Sequence, residues 1–245
     1  MKRLLLISRQ KPPEYENVLD HCEAEILSFL GRGIKKVLFI PFALYDTRAE
    51  VERIGARLSR MGYELEGLDL EKDAKLSIDS AQAIYMGGGN TFRLLDVLSR
   101  NGLLTPIRQK VLAGVPYIGI SAGSVLACPT IQTTNNMAIV WPPSLDALDL
   151  VPFQINPHYA DTEPDWVLPG ETREDKISEF LEENNRPVVG LYGGNWLGVE
   201  GDQVDLSGPG PGLRLFRRGE PSRVYSPGQD VNFLLNPSDK SDPSD

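Results

Sequence analysis

A serine stands between two glycines in the segment GISAG, residues 119–123. The apolar residues before it have the pattern of a buried strand, and the small residues after it have helical character. A strand, a tight turn and a helix form the setting in which a G-x-S-x-G serine acts as a nucleophile. The glycines let the backbone bend and leave room beside the serine oxygen. We therefore predict that Ser121 is a nucleophile, the alternative being a glycine-rich turn without chemistry.

A serine nucleophile needs a base, and the chain has only two histidines. His21 lies in a predicted first helix among acidic residues, which favours a position on the surface. His158 follows a predicted strand end and Pro157, at the same sheet edge where Ser121 is expected. We predict that His158 is the base, the alternative being a histidine bonded within a loop.

Three glycines, Gly87 to Gly89, follow another predicted strand. No Gly-Lys-Ser or Gly-Lys-Thr comes after them, so the segment is not a phosphate-binding P-loop, and it is also a poor dinucleotide fingerprint. An oxyanion-hole loop fits better, with the backbone amides of Gly89 and Ala122 aimed at the tetrahedral oxygen. A purely structural turn is the alternative.

Arg173 lies near the start of a predicted charged helix, residues 171–184. An arginine in that position is usually part of a solvated helix end. A guanidinium can also bind a substrate carboxylate through two parallel hydrogen bonds. Both interpretations stay open from the residues alone.

These residues need a scaffold, and apolar strand-like runs alternate with amphipathic helical stretches along the first half of the chain. The alternation predicts an α/β fold, a mostly parallel sheet flanked by helices on both faces. Active sites of such sheets lie beyond the carboxyl ends of the strands, where the loop 87–89 and Ser121 are both expected. The predicted strands are 4–8, 36–41, 64–70, 83–86 and 116–120, with helices beginning at 17, 46, 91 and 104.

The second half of the chain has a different pattern. Strands are predicted over 149–155 and 187–192, followed by a small antiparallel C-terminal part around Gly201 and Asp202. We predict a single α/β domain over residues 1–235 and an acidic, disordered tail over residues 236–245.

The composition excludes several classes of partner. The 245 residues are 41% hydrophobic and 24% charged, which is ordinary for a soluble globular protein. The net charge of -9 argues against nonspecific binding to nucleic acid or to an anionic membrane. Cys22 and Cys128 lack metal-type and redox-type spacing and fit a reducing compartment as small core residues. The N-terminal apolar run is too short for a signal peptide, so we expect a cytoplasmic protein.

Four separated segments together resemble the S51 serine peptidase family, and they occur in the family's order. They are GGGNTF at 87–92, GISAGS at 119–124, INPHY at 155–159 and GETR at 170–173. A later stretch, 190–196, is also similar to the family. The likeness extends over residues 2–235 and leaves only the acidic tail.

The resemblance implies hydrolysis of dipeptides that carry an N-terminal aspartate, without a metal or any other cofactor. It implies Ser121 as nucleophile and His158 as base. Arg173 would bind the aspartate side chain, with Asn90 and Thr91 nearby in the pocket. The resemblance also implies a flavodoxin-like or class I amidotransferase-like sandwich, and commonly a homodimer.

The chain departs from the family at both positions where an acid could orient the histidine. Asn136 stands where the family has an aspartate, and Gly193 stands where it has a glutamate. Tyr192 could supply an oxygen to His158, a neutral asparagine could orient the ring, or the site could be weakened. We favour Tyr192 and expect a slower enzyme. The other functions considered are a weakened protein that binds aspartyl dipeptides and a hydrolase of another aspartate-rich peptide.

Overall fold

The computed structural model describes residues 1–9, 11–161 and 172–236. The strands, in chain order, are β1 (Arg3–Ile7), β2 (Lys36–Ile40), β3 (Glu64–Gly67), β4 (Ile84–Met86), β5 (Tyr117–Ile120), β6 (Gln154–Tyr159), β7 (Val188–Tyr192), β8 (Trp196–Glu200), β9 (Gln203–Ser207), β10 (Leu213–Phe216) and β11 (Arg223–Tyr225). The α-helices are α1 (Glu23–Leu30), α2 (Thr47–Arg60), α3 (Ala74–Asp79), α4 (Thr91–Arg100), α5 (Leu104–Leu112), α6 (Ala122–Leu126) and α7 (Arg173–Glu183). Short 3-10 helices cover Asp20–Cys22 and Asn232–Leu235.

The larger sheet has the strand order β3-β2-β4-β5-β1-β8-β9. Its first five strands are parallel, and β8 and β9 form an antiparallel hairpin at one edge. The predicted mostly parallel α/β fold is therefore confirmed, as is the hairpin around Gly201 and Asp202. Because the five strands run the same way, the loops that follow β1, β4 and β5 gather at one edge.

Alternate residues of β1 enter different apolar clusters on the two faces of this sheet. Leu4 and Leu6 pack in the cluster that includes side chains of α4 and α5, whereas Leu5 and Ile7 pack with α1 and α2. All four side chains are fully buried. A strand covered on both faces needs a continuous apolar sequence rather than an alternating one, which is the pattern observed here.

A second sheet of four strands, in the order β11-β10-β7-β6, carries His158. β6 and β7 are parallel, and β10 and β11 continue the sheet in antiparallel fashion. The prediction that Ser121 and His158 share one sheet edge is wrong, because Ser121 follows β5 and His158 lies within β6. The predicted strand 149–155 is also displaced. Asp149 has a φ of +48°, and the ladder begins only at residue 154, so the apolar residues before it are buried in a loop.

The predicted first helix, residues 17–30, is interrupted. Leu19 has a φ of +64°, a 3-10 turn follows, and the regular α-helix begins at Glu23. His21, predicted to be a surface residue, is 9% exposed and lies against the rings of Tyr15 and Trp196. The 3-10 turn changes the angular spacing of the side chains, so the pattern of a continuous α-helix does not apply to His21.

The described residues test the remaining expectations only in part. Among them, no helix is both long and apolar enough to cross a bilayer. Cys22 and Cys128 are both buried, as predicted. The predicted tail lies outside the described residues except for Asn236. The domain boundaries, the cytoplasmic location and the homodimer stay predictions.

Candidate active site

Ser121 lies at a sharp turn between β5 and α6. Its φ is +52°, which is rare for a residue with a side chain, and its N–H donates to the Ile7 oxygen at 2.9 Å. A methyl group at Gly119 would lie 2.7 Å from the Gly123 oxygen, and one at Gly123 would lie 2.2 Å from the Met86 oxygen. Close backbone packing therefore requires both glycines, and the strained serine has the conformation of a nucleophile elbow.

His158 lies at an irregularity in β6. The register between β6 and β7 shifts between Pro157 and Tyr159, and the φ of His158 is +56°. Bulges next to active sites re-aim a side chain, and here Nε2 lies 2.6 Å from Ser121 Oγ. The two residues that the sequence singles out thus meet across two different sheets.

Ser8 connects the two sheets beside this pair. Its buried hydroxyl accepts a hydrogen bond from the His158 N–H at 2.9 Å and donates one to the Leu191 oxygen at 2.8 Å. Ser8 follows β1 of the larger sheet, and Leu191 belongs to β7 of the smaller one. The hydroxyl therefore fixes the backbone of His158 relative to the strand next to β5.

Arg9, which the sequence analysis missed, faces the second ring nitrogen of His158. Arg9 Nε donates to Nδ1 at 2.9 Å. Nδ1 is thus an acceptor, and from this bond we assign the proton of the neutral ring to Nε2, where it points at Ser121 Oγ. One available signal was that Arg9 lies just beyond β1, the direct neighbour of β5. Residues at that edge of a parallel sheet are expected near the site.

Tyr192 does not have the contact predicted for it. Its hydroxyl donates to Asp161 Oδ2 at 2.6 Å, and the other oxygen of that carboxylate pairs with Arg214 at 2.9 Å. Strand pairing gives the reason. Tyr192 lies opposite Tyr159 in the ladder, and the two rings are in edge contact. The side chain of Tyr192 therefore packs with Tyr159 and reaches Asp161 rather than the His158 ring.

The structure also places the two positions, Asn136 and Gly193, at which the S51 resemblance implies an acid. Asn136 Oδ1 accepts hydrogen bonds from the N–H and the hydroxyl of Thr91, at 3.0 and 2.7 Å. A methyl group at Gly193 would be in van der Waals contact with the Arg9 guanidinium, 3.7 Å from Nε. In the described part of the chain, the ring nitrogens of His158 bond to Ser121 and Arg9 and to no carboxylate.

The surroundings of His158 disfavour its protonated form. Burial lowers the pKa of the imidazole, and the charges of Arg9 and Arg173 lower it further, to about 3. The carboxylate of a serine triad has the opposite effect, because it stabilises the imidazolium that forms during the reaction. In this arrangement His158 is a weak proton acceptor.

The glycine loop after β4 lies against Ser121. Gly89 has a φ of +138°, and a methyl group there would lie 2.6 Å from the Ala43 oxygen. Gly88, to which the sequence analysis gave no role, is an immediate neighbour, since a methyl group on it would lie 3.4 Å from Ser121 Cβ. Among the described residues, the N–H groups of Gly89 and Ala122 have no acceptor. Two such donors can stabilise a developing oxyanion.

Asn90 and Thr91 hold this loop in place. Asn90 caps α4, since its Oδ1 accepts from the Arg93 N–H at 3.0 Å, and its Nδ2 donates to the Met137 oxygen at 2.9 Å. Thr91 is fully buried and bonds to Asn136. These bonds join the glycine loop to the segment 133–137. Direct contact of Asn90 and Thr91 with substrate stays a prediction.

A polar cavity of about 370 Å³ lies beside β6. Arg173 and Lys176 of α7 bring two cations to it, and the segment 132–136 brings amides and hydroxyls. Arg173 Nη1 donates to the backbone oxygens of Pro157, at 3.1 Å, and of His158. Ser121 and His158 do not line the cavity, but Asn156 and Arg173 do, and both are close to His158, since Asn156 precedes it in β6 and Arg173 donates to its backbone oxygen. Its volume lies in the range of small-ligand pockets. The first two residues of the predicted GETR segment lie outside the described residues.

Neither cysteine contributes to the site. Burial raises the pKa of the Cys22 thiol to about 12, so this thiol is not a ready nucleophile. Within the ranges that the structure describes, no three side chains of His, Cys, Asp or Glu gather as a metal site.

Comparison with known proteins agrees with this arrangement. Residues 4–207 match the model of peptidase family S51. Peptidase E of Streptomyces coelicolor is 43% identical over 232 residues, which are 95% of each chain. A protein of Drosophila melanogaster named probable alpha-aspartyl dipeptidase is 39% identical over 236 residues, 96% of this chain and 98% of that one. The crystal structure of a Listeria monocytogenes protein assigned to peptidase E superposes with a TM-score of 0.67 at 27% identity, covering 86% of this chain and all of that one.

Proposed function

Because the chain belongs to peptidase family S51, we propose that it is a serine dipeptidase that hydrolyses dipeptides with an N-terminal aspartate. One observation carries the proposal, the 2.6 Å contact between Ser121 Oγ and His158 Nε2 at a strained strand-to-helix turn. The name of the similar Drosophila protein, probable alpha-aspartyl dipeptidase, supports this class of substrate.

The reaction follows from the geometry of this pair. With the ring proton of His158 on Nδ1, Ser121 Oγ attacks the carbonyl carbon of the aspartyl residue while its own proton passes to Nε2. The amides of Gly89 and Ala122 hold the oxyanion. His158 then gives the proton to the leaving amine, and the peptide C–N bond breaks. Water, deprotonated by His158, attacks the ester carbon, and the C–Oγ bond breaks as His158 returns the proton to Ser121 Oγ and aspartate is released.

The cationic cavity beside β6 supports selectivity for an acidic substrate. Arg173 and Lys176 both line it, and hydroxyl and amide groups of the segment 132–136 complete a polar wall. A guanidinium matches the two oxygens of a carboxylate, so Arg173 is our choice for the residue that binds the aspartate side chain. Asn90 and Thr91 then act by holding the wall and the glycine loop together.

The direct test is hydrolysis of Asp-Leu by the purified chain in the presence of EDTA, compared with two serine variants. Ser121→Ala removes the nucleophile, whereas Ser59→Ala removes an exposed hydroxyl on α2 and serves as the matched control. We expect turnover by the unchanged chain and by Ser59→Ala but not by Ser121→Ala. Equal turnover in all three chains would contradict the proposal.

One observation favours a second candidate, a protein that binds aspartyl dipeptides but cleaves them poorly. The positive Arg9 stands at His158 Nδ1, where a triad has a negative group. Titration calorimetry with Asp-Leu separates the two candidates. Binding without turnover in the unchanged chain supports the second candidate, and turnover that depends on Ser121 supports the first.

A further inference from the structure

Arg9 is an arginine whose charge has no partner in the described residues. Its side chain is partly buried beside Ser121 and His158. Within those residues, its one hydrogen bond is the contact from Nε to the neutral ring of His158, and no carboxylate pairs with it. A partly buried cation is costly to leave unpaired, and its two terminal nitrogens form the edge that binds carboxylates. This combination indicates that a negative group arrives with the substrate.

We propose that Arg9 is a positioning residue that binds a carboxylate of the substrate and, in doing so, releases His158 from a non-productive tautomer. The inference rests on the proposed function, because it concerns the same serine and histidine. In the substrate-free enzyme Arg9 Nε holds Nδ1 as an acceptor, so the ring proton is on Nε2 and faces Ser121 Oγ. A ring in that state has no free lone pair with which to take the serine proton.

The release conserves protons. When Arg9 leaves Nδ1, the ring gains one proton from water at Nδ1 and loses one proton to water from Nε2. Nε2 then accepts the proton of Ser121 Oγ as the new C–O bond forms, and the imidazolium later returns a proton to the leaving amine. The net charge of the ring is unchanged by the tautomer exchange, so no oxidant, metal or further acid is needed for it.

The charges around His158 explain why the substrate must supply the negative group. The cations that act on the ring are Arg9, from the chain after β1, and Arg173, from α7. The nearby Asp161, which follows β6, is already paired with Arg214 and with the Tyr192 hydroxyl. A substrate carboxylate on Arg9 would offset one of the two positive charges and favour the imidazolium.

An aspartyl dipeptide carries two carboxylates, one on the aspartate side chain and one at the C-terminus. Either could bind Arg9, and the chemistry of recognition is the same. Arg173 is our choice for the side-chain carboxylate, so the C-terminal carboxylate is the one that is left for Arg9. Binding of the C-terminal carboxylate by Arg9 would favour dipeptides over internal aspartyl bonds.

Two variants of Arg9 separate its hydrogen bond from its charge. In Arg9→Gln the amide nitrogen lies the same number of bonds from Cα as arginine Nε, so the donor to Nδ1 is retained without the charge. In Arg9→Met the terminal methyl takes that position, and both the donor and the charge are lost. Arg48→Met, at an exposed arginine of α2, is the matched control.

The tautomer is measured by the ¹⁵N resonances of the imidazole nitrogens. The chain has only two histidines, so the His158 signals are identified by their loss in His158→Gln. We expect a ring protonated at Nε2 in the substrate-free Arg48→Met and Arg9→Gln chains, and a mixture of both tautomers in Arg9→Met. With Ser121→Ala, which leaves Asp-Leu intact, added dipeptide should shift the ring towards the Nδ1-protonated form. The same addition to Arg9→Gln, Ser121→Ala should not.

Kinetics identify which carboxylate Arg9 binds. Asp-Leu is compared with Asp-Leu amide, which lacks the C-terminal charge, and with Asn-Leu, which lacks the side-chain charge. A charged hydrogen bond is worth about 10- to 100-fold in kcat/KM, so Arg9→Gln should lose that factor for Asp-Leu. Loss of discrimination against the amide assigns the C-terminus to Arg9, and loss of discrimination against Asn-Leu assigns the side chain.

The outcomes keep the two proposals apart. A substrate-free ring protonated at Nδ1, or unchanged discrimination against both analogues in Arg9→Gln, overturns the role of Arg9 but leaves the dipeptidase proposal intact. A chain that neither binds nor cleaves Asp-Leu overturns the dipeptidase proposal, and with it the proposal that a substrate carboxylate releases His158 from Arg9. In that case the substrate-free spectra still decide whether Arg9 sets the tautomer.

Discussion

A methyl group added at Gly193 would lie 3.7 Å from Arg9 Nε, the atom that donates to His158. The arginine therefore fills the space in front of the position where the S51 resemblance implies a glutamate. Where the resemblance implies a negatively charged neighbour of His158, this chain has the uncharged Gly193 and the positively charged Arg9. The absence of the family acid and the presence of Arg9 are two parts of one arrangement.

Restoring the acid should raise the rate. Gly193 does not have a positive φ, and no neighbour lies within 3.4 Å of a Cβ there, so Gly193→Glu fits the backbone. Its carboxylate can pair with Arg9 and stabilise the imidazolium of His158. We expect kcat for Asp-Leu to increase about tenfold, the scale of one charged hydrogen bond.

Gly193→Gln is the matched control for that experiment, because it adds the same bulk without the charge. We expect it to leave kcat unchanged or lower. If the glutamate and the glutamine give the same kcat, the missing negative charge does not limit the reaction.

The acidic limb of the pH profile should move when Arg9 is neutralised. The base must be unprotonated to act, so kcat/KM falls as the pH drops through the pKa of His158 in the free enzyme. Burial, then Arg9, then Arg173 lower that pKa to about 3. Arg9→Met removes the second of these causes, so the pKa rises and the limb shifts to higher pH.

That shift is read from kcat/KM for Asp-Leu amide and Asp-Leu between pH 2 and pH 8, a range that includes the limb expected near pH 3, with Arg48→Met as control. Burial still lowers the pKa in Arg9→Met, so the limb should stay below the ordinary histidine value of 6.5. A limb at the same pH in both variants would show that the Arg9 charge does not act on His158.

The Ser8 hydroxyl should matter for catalysis as well as for folding. Ser8→Ala leaves the His158 N–H and the Leu191 oxygen without their shared partner. A buried unsatisfied group costs about 1–3 kcal/mol, so we expect a loss of that order in urea unfolding. Because the bond fixes the His158 backbone, kcat should also fall while KM changes little. A variant with lower stability and wild-type kcat would limit Ser8 to a structural role.

Arg173 and Lys176 line the same cavity, and replacing each in turn tests which one binds the aspartate side chain of the substrate. Arg173→Ala should remove most of the discrimination between Asp-Leu and Asn-Leu, about 10- to 100-fold in kcat/KM. Lys176→Met, the comparison variant, removes the other cation and should retain most of the discrimination between the two dipeptides. Unchanged discrimination in Arg173→Ala would refute the assignment of this residue.

The serine elbow could be predicted from sequence because its two glycines are close together in the chain. Gly119 is required by its contact with Gly123, Gly123 is required by its contact with Met86 of β4, and both requirements appear directly as a G-x-S-x-G spacing. The parallel sheet could also be predicted, since strands that are buried on both faces, such as β1, have continuous apolar sequences.

The hydrogen-bond partners of His158 were harder to predict, because they depend on contacts between segments that are far apart in the sequence. Arg9 and His158 are 149 positions apart, and they meet only because β6 joins a second sheet that packs beside β1. The role assigned to Tyr192 failed for a related reason. The register between β6 and β7 decides which residue of β6 lies opposite Tyr192. A bulge at His158 changes that register, so Tyr192 lies opposite Tyr159.

Ser121 and His158 belong to different sheets, so the active pair exists only while those sheets stay docked. An opening motion that separates the four-stranded sheet would abolish turnover and still leave the serine elbow folded. Parts of a protein can unfold or separate locally, and the free energy of such a local opening is often lower than that of global unfolding. Turnover therefore works as a sensor of sheet docking, and on heating or in denaturant it should vanish before the larger sheet melts.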